Sequence, residues 1–378
     1  FDGLGRPKQI VNLQASPLGK DVVTHIEYDP FGRQVKDYLP VPQLSTSNGN
    51  YYSGPLGVYP NTYGNEKIYS EKVLENSPLD RILEQKQVGN AWDNKPIKFG
   101  YDANADGEVK KYTATFNYTT FTSQLTLSGS YAVGQLYKNT VTDEDGNSTI
   151  EFKNGQGQVV LVRKVLSATD NADTYYVYND YNQLAYVIPP KASVEADPNT
   201  VLSDLCYQYK YDGRNRLVEK KLPGKGWEYM VYDKLDRVVA TGPAFSPFSD
   251  LTGTGWLITK YDVFNRVVYT GWLNSPATSS ARSTMQQAQN NAMTINESKQ
   301  SGTTIDAIAV NYSNNVAPTS FKLLSVNYYD DYAIPNVSGL VTSVANQTVT
   351  TSTKGLGTGS WTRVLTTSAE VKAETTSI

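Results

Sequence analysis

One position recurs along this chain with a narrow choice of residue: it is Gly, Asn or Asp, and an arginine usually follows it. Four copies of a six-residue motif contain it, namely Tyr28-Asp29-Pro30-Phe31-Gly32-Arg33, Tyr211-Asp212-Gly213-Arg214-Asn215-Arg216, Tyr232-Asp233-Lys234-Leu235-Asp236-Arg237 and Tyr261-Asp262-Val263-Phe264-Asn265-Arg266. Gly enters the left-handed backbone region freely, and Asn or Asp enters it through local hydrogen bonds of a short side chain. The motif therefore predicts a positive φ angle at its fifth residue.

Further copies are degenerate but keep this position. A fifth copy opens the chain as Phe1-Asp2-Gly3-Leu4-Gly5-Arg6. Weaker copies, which lack the Tyr or the Arg, span residues 77–81, 143–147, 154–158 and 179–183. Across all the copies the restricted position is occupied by Gly5, Gly32, Asp80, Gly146, Gly157, Asn182, Asn215, Asp236 and Asn265.

The motif has the chemistry of a β-hairpin tip. Asp at the first turn position, Pro30 at the second and Gly32 at the fourth are typical of a type I turn followed by a left-handed residue. Asp29 and Arg33 then become the last cross-strand pair and place opposite charges side by side. Tyr28 is expected on the other face, where the residue after each Arg lies.

The segments between the tips predict an all-β fold of tandem antiparallel hairpins in one long curved or spiralling sheet. They are rich in β-branched and aromatic residues, as in 159–162, 175–178 and 266–270. Two helical insertions are predicted, at about 198–206 and 280–297, from a proline at a helix start and from a run of good helix formers. We expect residues 1–378 to form a single continuous array, cut from a longer chain at both ends.

Composition excludes several classes of function. A net charge of -3 with a pI near 5.4 disfavours a phosphate-binding surface, so nucleic acid is not an expected partner. The single cysteine, Cys206, rules out an internal disulfide. No apolar run is long enough to span a bilayer as a helix, so no transmembrane segment is predicted.

The motif, together with residues 2–8 (DGLGRPK) and 36–42 (KDYLPVP), resembles the RHS or YD-repeat family over most of residues 1–340. The resemblance is greatest to the repeat-rich shell portion of large bacterial RHS proteins of the polymorphic-toxin type. It implies hairpins joined edge to edge around a C-terminal toxin or effector. It also implies that the protein is secreted or on the bacterial cell surface, with secretion machinery as a further partner.

Residues with catalytic or metal-binding potential are few. His25 is the only histidine, which excludes a multi-histidine metal site and favours a histidine on a strand surface. Residues 102–107 match only the first half of a calcium loop, because Thr113 stands where a bidentate Glu belongs. The carboxylate pairs Asp143 with Asp145 and Asp330 with Asp331 are expected to be solvated. We predict no catalytic residue, no cofactor and no metal ligand.

Residues 29–32 have the form Asp-Pro-x-Gly, which is similar to the self-cleaving end of an RHS core. Arg33 follows where that core resembles Gly-Leu, so we expect an ordinary hairpin without autoproteolysis.

Two functions remain open. The first is a structural shell, whose partners are the remainder of the same polypeptide: further repeats and an enclosed cargo. The second is a cell-surface adhesin or carbohydrate-binding module, because 28 Tyr and 5 Trp could supply stacking surfaces for sugars.

Overall fold

The protein is nearly all-β, with antiparallel hairpins in long sheets and only short helices, which confirms the predicted fold class. The computed structural model describes residues 1–44, 47–117, 122–337 and 342–377. These residues form two compact units. The first comprises Phe1–Thr113, Leu125–Val177 and Val187–Pro198, and the second comprises Ala114–Gln124, Tyr178–Tyr186 and Asn199–Ile378.

Among the described residues, fourteen strands precede residue 190. They are β1 Gln9–Asn12, β2 Val22–His25, β3 Lys36–Tyr38, β4 Val41–Pro42, β5 Tyr69–Leu74, β6 Ile82–Lys86, β7 Ile97–Ala103, β8 Lys110–Asn117, β9 Thr122–Ser130, β10 Tyr137–Thr142, β11 Ser148–Lys153, β12 Val159–Val165, β13 Asn171–Tyr178 and β14 Leu184–Ile188. In the first unit, the main sheet has the order β3-β5-β6-β7-β10-β11-β12-β13 and every pair in it is antiparallel. A separate three-stranded sheet has the order β1-β2-β4.

The remaining strands lie in the second unit. They are β15 Tyr207–Tyr211, β16 Leu217–Lys221, β17 Trp227–Tyr232, β18 Val238–Phe245, β19 Thr254–Tyr261, β20 Val267–Leu273, β21 Lys299–Ile305, β22 Ile308–Tyr312, β23 Lys322–Tyr329, β24 Ser343–Val344, β25 Gln347–Thr348, β26 Gly357–Arg363 and β27 Ala373–Ser377. The main sheet has the order β15-β16-β17-β18-β19-β20-β23-β26-β27, again antiparallel throughout. Strands β21 and β22 form a hairpin that leaves this sheet between β20 and β23.

The helices are short. They are α1 Pro60–Tyr63, α2 Pro190–Ser193, α3 Leu202–Leu205 and α4 Ser279–Asn291, with 3₁₀ segments at Pro55–Val58, Asn90–Trp92 and Pro198–Val201. The predicted insertion at 198–206 is therefore a 3₁₀ turn followed by α3. The prediction missed α1 and α2, which are single turns that each begin at a proline.

The predicted helix at 280–297 is too long by six residues at its C-terminal end. Thr278 caps α4 by accepting a hydrogen bond from the backbone N–H of Ala281 at 3.1 Å. The helix ends because Ala292 has an extended ψ of 131°. Glu297 instead donates its backbone N–H to the carbonyl of Tyr261 at 2.8 Å, which keeps it beside β19.

Each main sheet buries apolar residues from neighbouring strands. In the first unit, Phe152 on β11 and Leu161 on β12 are Cα partners, and both are fully buried. In the second unit, described residues gather in the following two apolar clusters. One gathers Tyr269, Tyr312, Phe321, Leu323, Val326 and Tyr328, and the other gathers Tyr229, Val231, Ala240, Trp256 and Ile258.

Candidate functional site: a row of linked hairpin turns

The turn at residues 261–266 illustrates the geometry of the repeated motif. The backbone N–H of Asp262 donates to the carbonyl of Arg266 at 3.0 Å, and the N–H of Asn265 donates to the carbonyl of Asp262 at 3.2 Å. The Asp262 carboxylate accepts the backbone N–H groups of Phe264 and Arg266 through Oδ1, at 2.8 and 3.0 Å, and Arg266 Nε through Oδ2 at 2.7 Å. One carboxylate thus satisfies three donors and closes the tip.

The same closure recurs in the other full copies and at the start of the chain. The Asp Oδ2 to Arg Nε distances are 2.8 Å for Asp2 and Arg6, 2.8 Å for Asp29 and Arg33, 2.8 Å for Asp212 and Arg216, and 2.7 Å for Asp233 and Arg237. Hydrogen bonds from the backbone N–H and the guanidinium of Arg6 lower the pKa of Asp2 to about 2.

All nine restricted positions have a positive φ. The angles are 76° at Gly5, 82° at Gly32, 50° at Asp80, 89° at Gly146, 80° at Gly157, 62° at Asn182, 62° at Asn215, 61° at Asp236 and 63° at Asn265. In two weak copies an amide pair replaces the charged pair. Asn154 Nδ2 donates to Gln158 Oε1 at 2.7 Å, and Asn179 Nδ2 donates to Gln183 Oε1 at 2.7 Å.

The tips are also bonded to one another, which the sequence did not predict. In the second unit, each tip donates a hydrogen bond from the last residue of its turn to the next tip. The contacts are Gln183 Nε2 to Asn215 Oδ1 at 2.7 Å, Arg216 Nη1 to Asp236 Oδ1 at 2.7 Å, Arg237 Nη1 to Asn265 Oδ1 at 2.9 Å and Arg266 Nη1 to Asp330 Oδ1 at 2.9 Å. We call these eight residues the turn row. The positive-φ residue therefore has a second role, because its side-chain oxygen accepts the hydrogen bond from the neighbouring tip. Of the three residue types at this position, only Asn and Asp have such an oxygen.

The motif tyrosines form a second set of links between consecutive turns. The hydroxyls of Tyr211, Tyr232 and Tyr261 donate to the carbonyls of Leu184, Leu217 and Val238, at 3.0, 2.7 and 2.9 Å. The arginine of the preceding tip lies over the same ring, at 4.7 Å for Arg216 over Tyr232 and 4.6 Å for Arg237 over Tyr261. Each Tyr is also the Cα partner of the residue after its own Arg, as in Tyr261 and Val267.

Asp330, the last acceptor of the turn row, belongs to a copy of the motif that the sequence did not reveal. Tyr329 donates to the carbonyl of Val267 at 3.0 Å and lies 4.3 Å below the guanidinium of Arg266. Asp330 donates its backbone N–H to the carbonyl of Leu356 at 3.0 Å, so this turn closes on Leu356 instead of on a residue four positions along the chain. The Tyr-Asp pair was the available signal, but no Gly/Asn-Arg pair follows it closely. Our expectation that Asp330 is solvated was wrong, because Arg266 binds it with two hydrogen bonds.

Linked tips occur in the first unit as well. Arg33 Nη1 donates to Asp80 Oδ1, and Arg6 lies 4.2 Å from the centre of the Tyr28 ring. Arg81 lies 4.7 Å from the centre of the Tyr101 ring, and the Tyr101 hydroxyl donates to the carbonyl of Ile82 at 3.0 Å. Tyr101 thus takes the position of a motif tyrosine.

A cavity of about 780 Å³ adjoins the Gln183 end of the turn row. Its most buried ionisable group is Glu219, which is 3% exposed. The carboxylate binds Lys210 at 2.8 Å and Arg282 at 3.1 Å and also accepts a hydrogen bond from Ser279. Burial raises the pKa of Glu219, but the hydrogen bonds from Lys210 and Ser279 outweigh burial and the pKa is lowered overall. This carboxylate is suited to holding α4 against β16 rather than to transferring protons.

The other residues singled out in the sequence have structural surroundings. His25 packs edge-on against Tyr38 with ring centres 5.1 Å apart, and its burial lowers its pKa. Asn104, in the calcium-like segment, donates to the carbonyls of Ala105 and Ala132 and accepts the N–H of Leu136, so its amide is engaged with backbone. Burial raises the pKa of the Cys206 thiol to about 11.

Within the described ranges, no cluster of three or more His, Cys, Asp or Glu side chains could hold a metal ion. No helix within these ranges is long and apolar enough to cross a membrane.

Comparison with known proteins gives one family match. The family model of a domain of unknown function, DUF6443, matches residues 1–104. No curated protein matches the chain.

Among solved structures, the chain is similar to a TcdB2-TccC3 crystal structure, with 13% identity and a TM-score of 0.44 over 97% of this chain and 17% of that one. It is also similar to a Photorhabdus luminescens Tc holotoxin pore, with 12% identity and a TM-score of 0.44 over 100% of this chain and 18% of that one. The chain therefore spans less than a fifth of the length of either structure.

Proposed function

We propose that this chain is a wall segment of an exported RHS-like protein, in which a sheet of hairpins encloses a polypeptide cargo. Its partners in this proposal are the rest of the same polypeptide, including further repeats and the enclosed toxin or effector, and a secretion apparatus. In this proposal the protein turns over no external substrate and acts outside the cell or at its surface.

The turn row carries this proposal. The three inner tips each present an acceptor to the preceding tip and a donor to the following tip, while the first tip supplies only a donor and the last only an acceptor, so that hairpins join side by side in a fixed order. The linking residues recur along the chain and residues of catalytic type do not, so the repeat specifies a surface geometry rather than a reaction. A wall needs such a geometry, since every unpaired sheet edge must be covered to prevent edge-to-edge association.

The turn row also explains why the tips use charged groups. Asp233 is 1% exposed and Asp262 is 5% exposed, so each carboxylate would be costly without its arginine and backbone donors. A neighbouring hairpin that is missing or out of register leaves the acceptors between tips, such as Asp236 and Asp330, without the arginines that bind them. The row therefore favours one order of hairpins over others.

The proposal is tested on the longer natural polypeptide that contains this segment. Its cargo portion should resist trypsin in the native protein and become cleavable only when the array unfolds in urea. Replacing Arg216, Arg237 and Arg266 together by Lys should move that exposure to lower urea, whereas Arg214→Lys should not. Equal cleavage rates for the native protein and the isolated cargo would contradict enclosure.

A purified sample of this chain incubated for days should remain a single band. Fragments that end at Gly32 would contradict the absence of self-cleavage.

The tryptophans offer little for the alternative function as a carbohydrate-binding module, although Tyr51, Tyr137 and Tyr181 are exposed. Trp256 and Trp272 are buried, Trp227 and Trp361 are half-buried, and Trp92 is exposed. Binding of this chain to a glycan array that disappears with Trp92→Ala would favour that alternative over the wall.

A further inference from the structure

The most deeply buried ion pair in the second unit lies apart from the turn row. Lys260 on β19 is 2% exposed and Glu297 is 1% exposed. Lys260 Nζ lies 3.1 Å from Glu297 Oε1, 2.5 Å from Asn314 Oδ1 and 2.5 Å from the carbonyl oxygen of Val316. A carboxylate and a carboxamide thus both contact the side-chain nitrogen of the lysine.

We propose that Lys260 and Asn314 are a site of self-catalysed cross-linking, in which the lysine nitrogen and the asparagine side chain form an amide bond with Glu297 as the proton carrier. The product is an internal isopeptide bond between β19 and the segment that follows β22.

The distances suit this reaction. Since a C=O bond is about 1.2 Å long, the 2.5 Å contact places Asn314 Cγ within about 3.7 Å of Lys260 Nζ. Reacting atoms in a near-attack arrangement lie about 3 to 3.5 Å apart. The orientation of the amide is assigned by its other contact, because Asn314 Nδ2 donates to the carbonyl of Thr319 at 2.7 Å. The leaving nitrogen therefore points away from the lysine.

The surroundings favour the reactive form of the lysine. Burial lowers the pKa of Lys260 despite the nearby carboxylate, and only the neutral amine is a nucleophile. The Phe321 ring centre lies 5.0 Å from Nζ, and Phe321 is itself 7% exposed, so the site is screened from water.

Glu297 is held in position to carry a proton. Oε2 accepts Ser313 Oγ at 2.7 Å and the backbone N–H of Asn315 at 2.9 Å, and Oε1 accepts the N–H of Val316 at 3.0 Å. These contacts lie on either side of Asn314 in the chain. The carboxylate is therefore fixed beside both reactants, as general acid and base catalysis requires.

The reaction is balanced without a cofactor or oxidant. The Lys260 ammonium gives a proton to Glu297, and the neutral Nζ then attacks Asn314 Cγ. The new Nζ–Cγ bond forms as the Cγ–Nδ2 bond breaks, with the proton from Glu297 passing to Nδ2. Of the two protons left on Nζ, one leaves with Nδ2 as ammonium and the other stays as the N–H of the new amide, and Glu297 returns to the carboxylate. The chain loses one molecule of ammonia overall.

Intact-mass spectrometry of the denatured full chain tests the proposal. The wild-type mass should be about 17 Da below the sequence mass, which corresponds to one ammonia lost when the amine displaces the carboxamide nitrogen. Lys260→Arg should have its full sequence mass, since arginine keeps the charge but is not a nucleophile. The matched control is Lys210→Arg, because Lys210 also precedes a motif tyrosine and pairs with a glutamate at 2.8 Å. This control should keep the loss.

Two further variants separate the roles of the other residues. Asn314→Asp should lose about 18 Da, one water, because a carboxylic acid replaces the carboxamide as the acyl donor. Glu297→Gln keeps both reactants but removes the proton carrier, so its mass should equal its sequence mass. A mass loss in Glu297→Gln equal to that of the wild type would overturn the role of Glu297.

Asparagine can also lose ammonia by cyclising on its own backbone, and peptide mapping distinguishes this product. The cross-link requires a branched peptide that joins the segments containing Lys260 and Asn314, with no tryptic cleavage after Lys260. A linear peptide carrying the mass loss at Asn314, or a wild-type mass equal to the sequence mass after prolonged incubation, would overturn the proposal. Both readouts use the wild-type chain and so do not depend on whether a variant folds.

Discussion

Arg266 and Asp330 are joined by two parallel hydrogen bonds although 64 residues separate them in the chain. Nη1 donates to Oδ1 at 2.9 Å and Nη2 donates to Oδ2 at 2.7 Å. The same guanidinium also binds its own turn through Asp262. Arg266 therefore closes its own hairpin. It also attaches the strand pair β23 and β26, whose enlarged turn begins at Asp330. The two partners lie on either side of an insertion that contains α4 and the β21–β22 hairpin.

Replacing Arg266 by Lys should lower the free energy of unfolding by about 1 to 2 kcal/mol, because a lysine cannot reproduce a two-point contact with a carboxylate. Urea unfolding followed by tryptophan fluorescence measures the change. The matched control is Arg214→Lys, whose side chain is 57% exposed and approaches Asp236 only at 3.5 Å. That change should cost less than about 0.5 kcal/mol. Equal losses in the two variants would show that the paired geometry contributes nothing.

Acidification should weaken the same contact. Hydrogen bonds from Arg266 lower the pKa of Asp330 below its ordinary value of 3.8 in the folded chain. The unfolded chain therefore takes up a proton at Asp330 at a higher pH than the folded chain. This contribution to stability is fully present above the unfolded pKa and is lost as the pH falls through the folded value.

Urea unfolding in steps from pH 5 to lower pH should show stability falling, with a shallower fall in Asp330→Asn. Asp331→Asn is the control, since the Asp331 side chain is 49% exposed and pairs with Lys299 at the surface. If Asp330→Asn keeps the slope of the wild type, the carboxylate is not the group that responds.

The turn at 154–158 allows backbone strain to be measured without a steric clash. A Cβ atom at Gly157 or at Gly155 would meet no atom within 4 Å, but only Gly157 has a positive φ, of 80°. Gly157→Ala should destabilise the protein by about 1 to 2 kcal/mol because alanine is strained in the left-handed region. Gly155→Ala should be neutral or stabilise by up to about 1 kcal/mol, since it restricts the unfolded chain. Similar thermal midpoints for the two variants would refute the geometric basis of the repeat.

Gly255 on β19 is required because residues of β20 approach its backbone closely, and not because its φ is positive. A Cβ there would lie 2.2 Å from the carbonyl oxygen of Leu273 and 2.9 Å from the Trp272 ring. Gly255→Ala should therefore cost about 3 kcal/mol or prevent folding, because a backbone oxygen cannot move aside cheaply. Gly357→Ala on β26 is the control, since nothing lies within 4 Å of its Cβ position. Thermal unfolding of both variants measures the difference, and a loss of similar size in each would contradict the packing explanation.

Much of the fold follows from local patterns. The tips, their strands and the antiparallel pairing were predicted because an Asp, a left-handed residue and an Arg close a turn through contacts within five residues. Helix ends were predicted less well. The predicted helix ran on to Glu297, which instead stays beside β19 through contacts with Tyr261 and Lys260 that lie more than 30 residues away in sequence.

The links between tips could not be predicted, since they depend on which hairpins become neighbours. Nothing near Asp330 in the sequence indicates that Arg266 binds it, and nothing near Asn314 indicates that it meets Lys260. The sequence by itself determined the conformation of each turn, because φ preferences and side-chain closure act over a few residues. Only the tertiary structure decided what each turn and each buried charge contacts, because strand register and the excursions between β20 and β23 bring distant residues together.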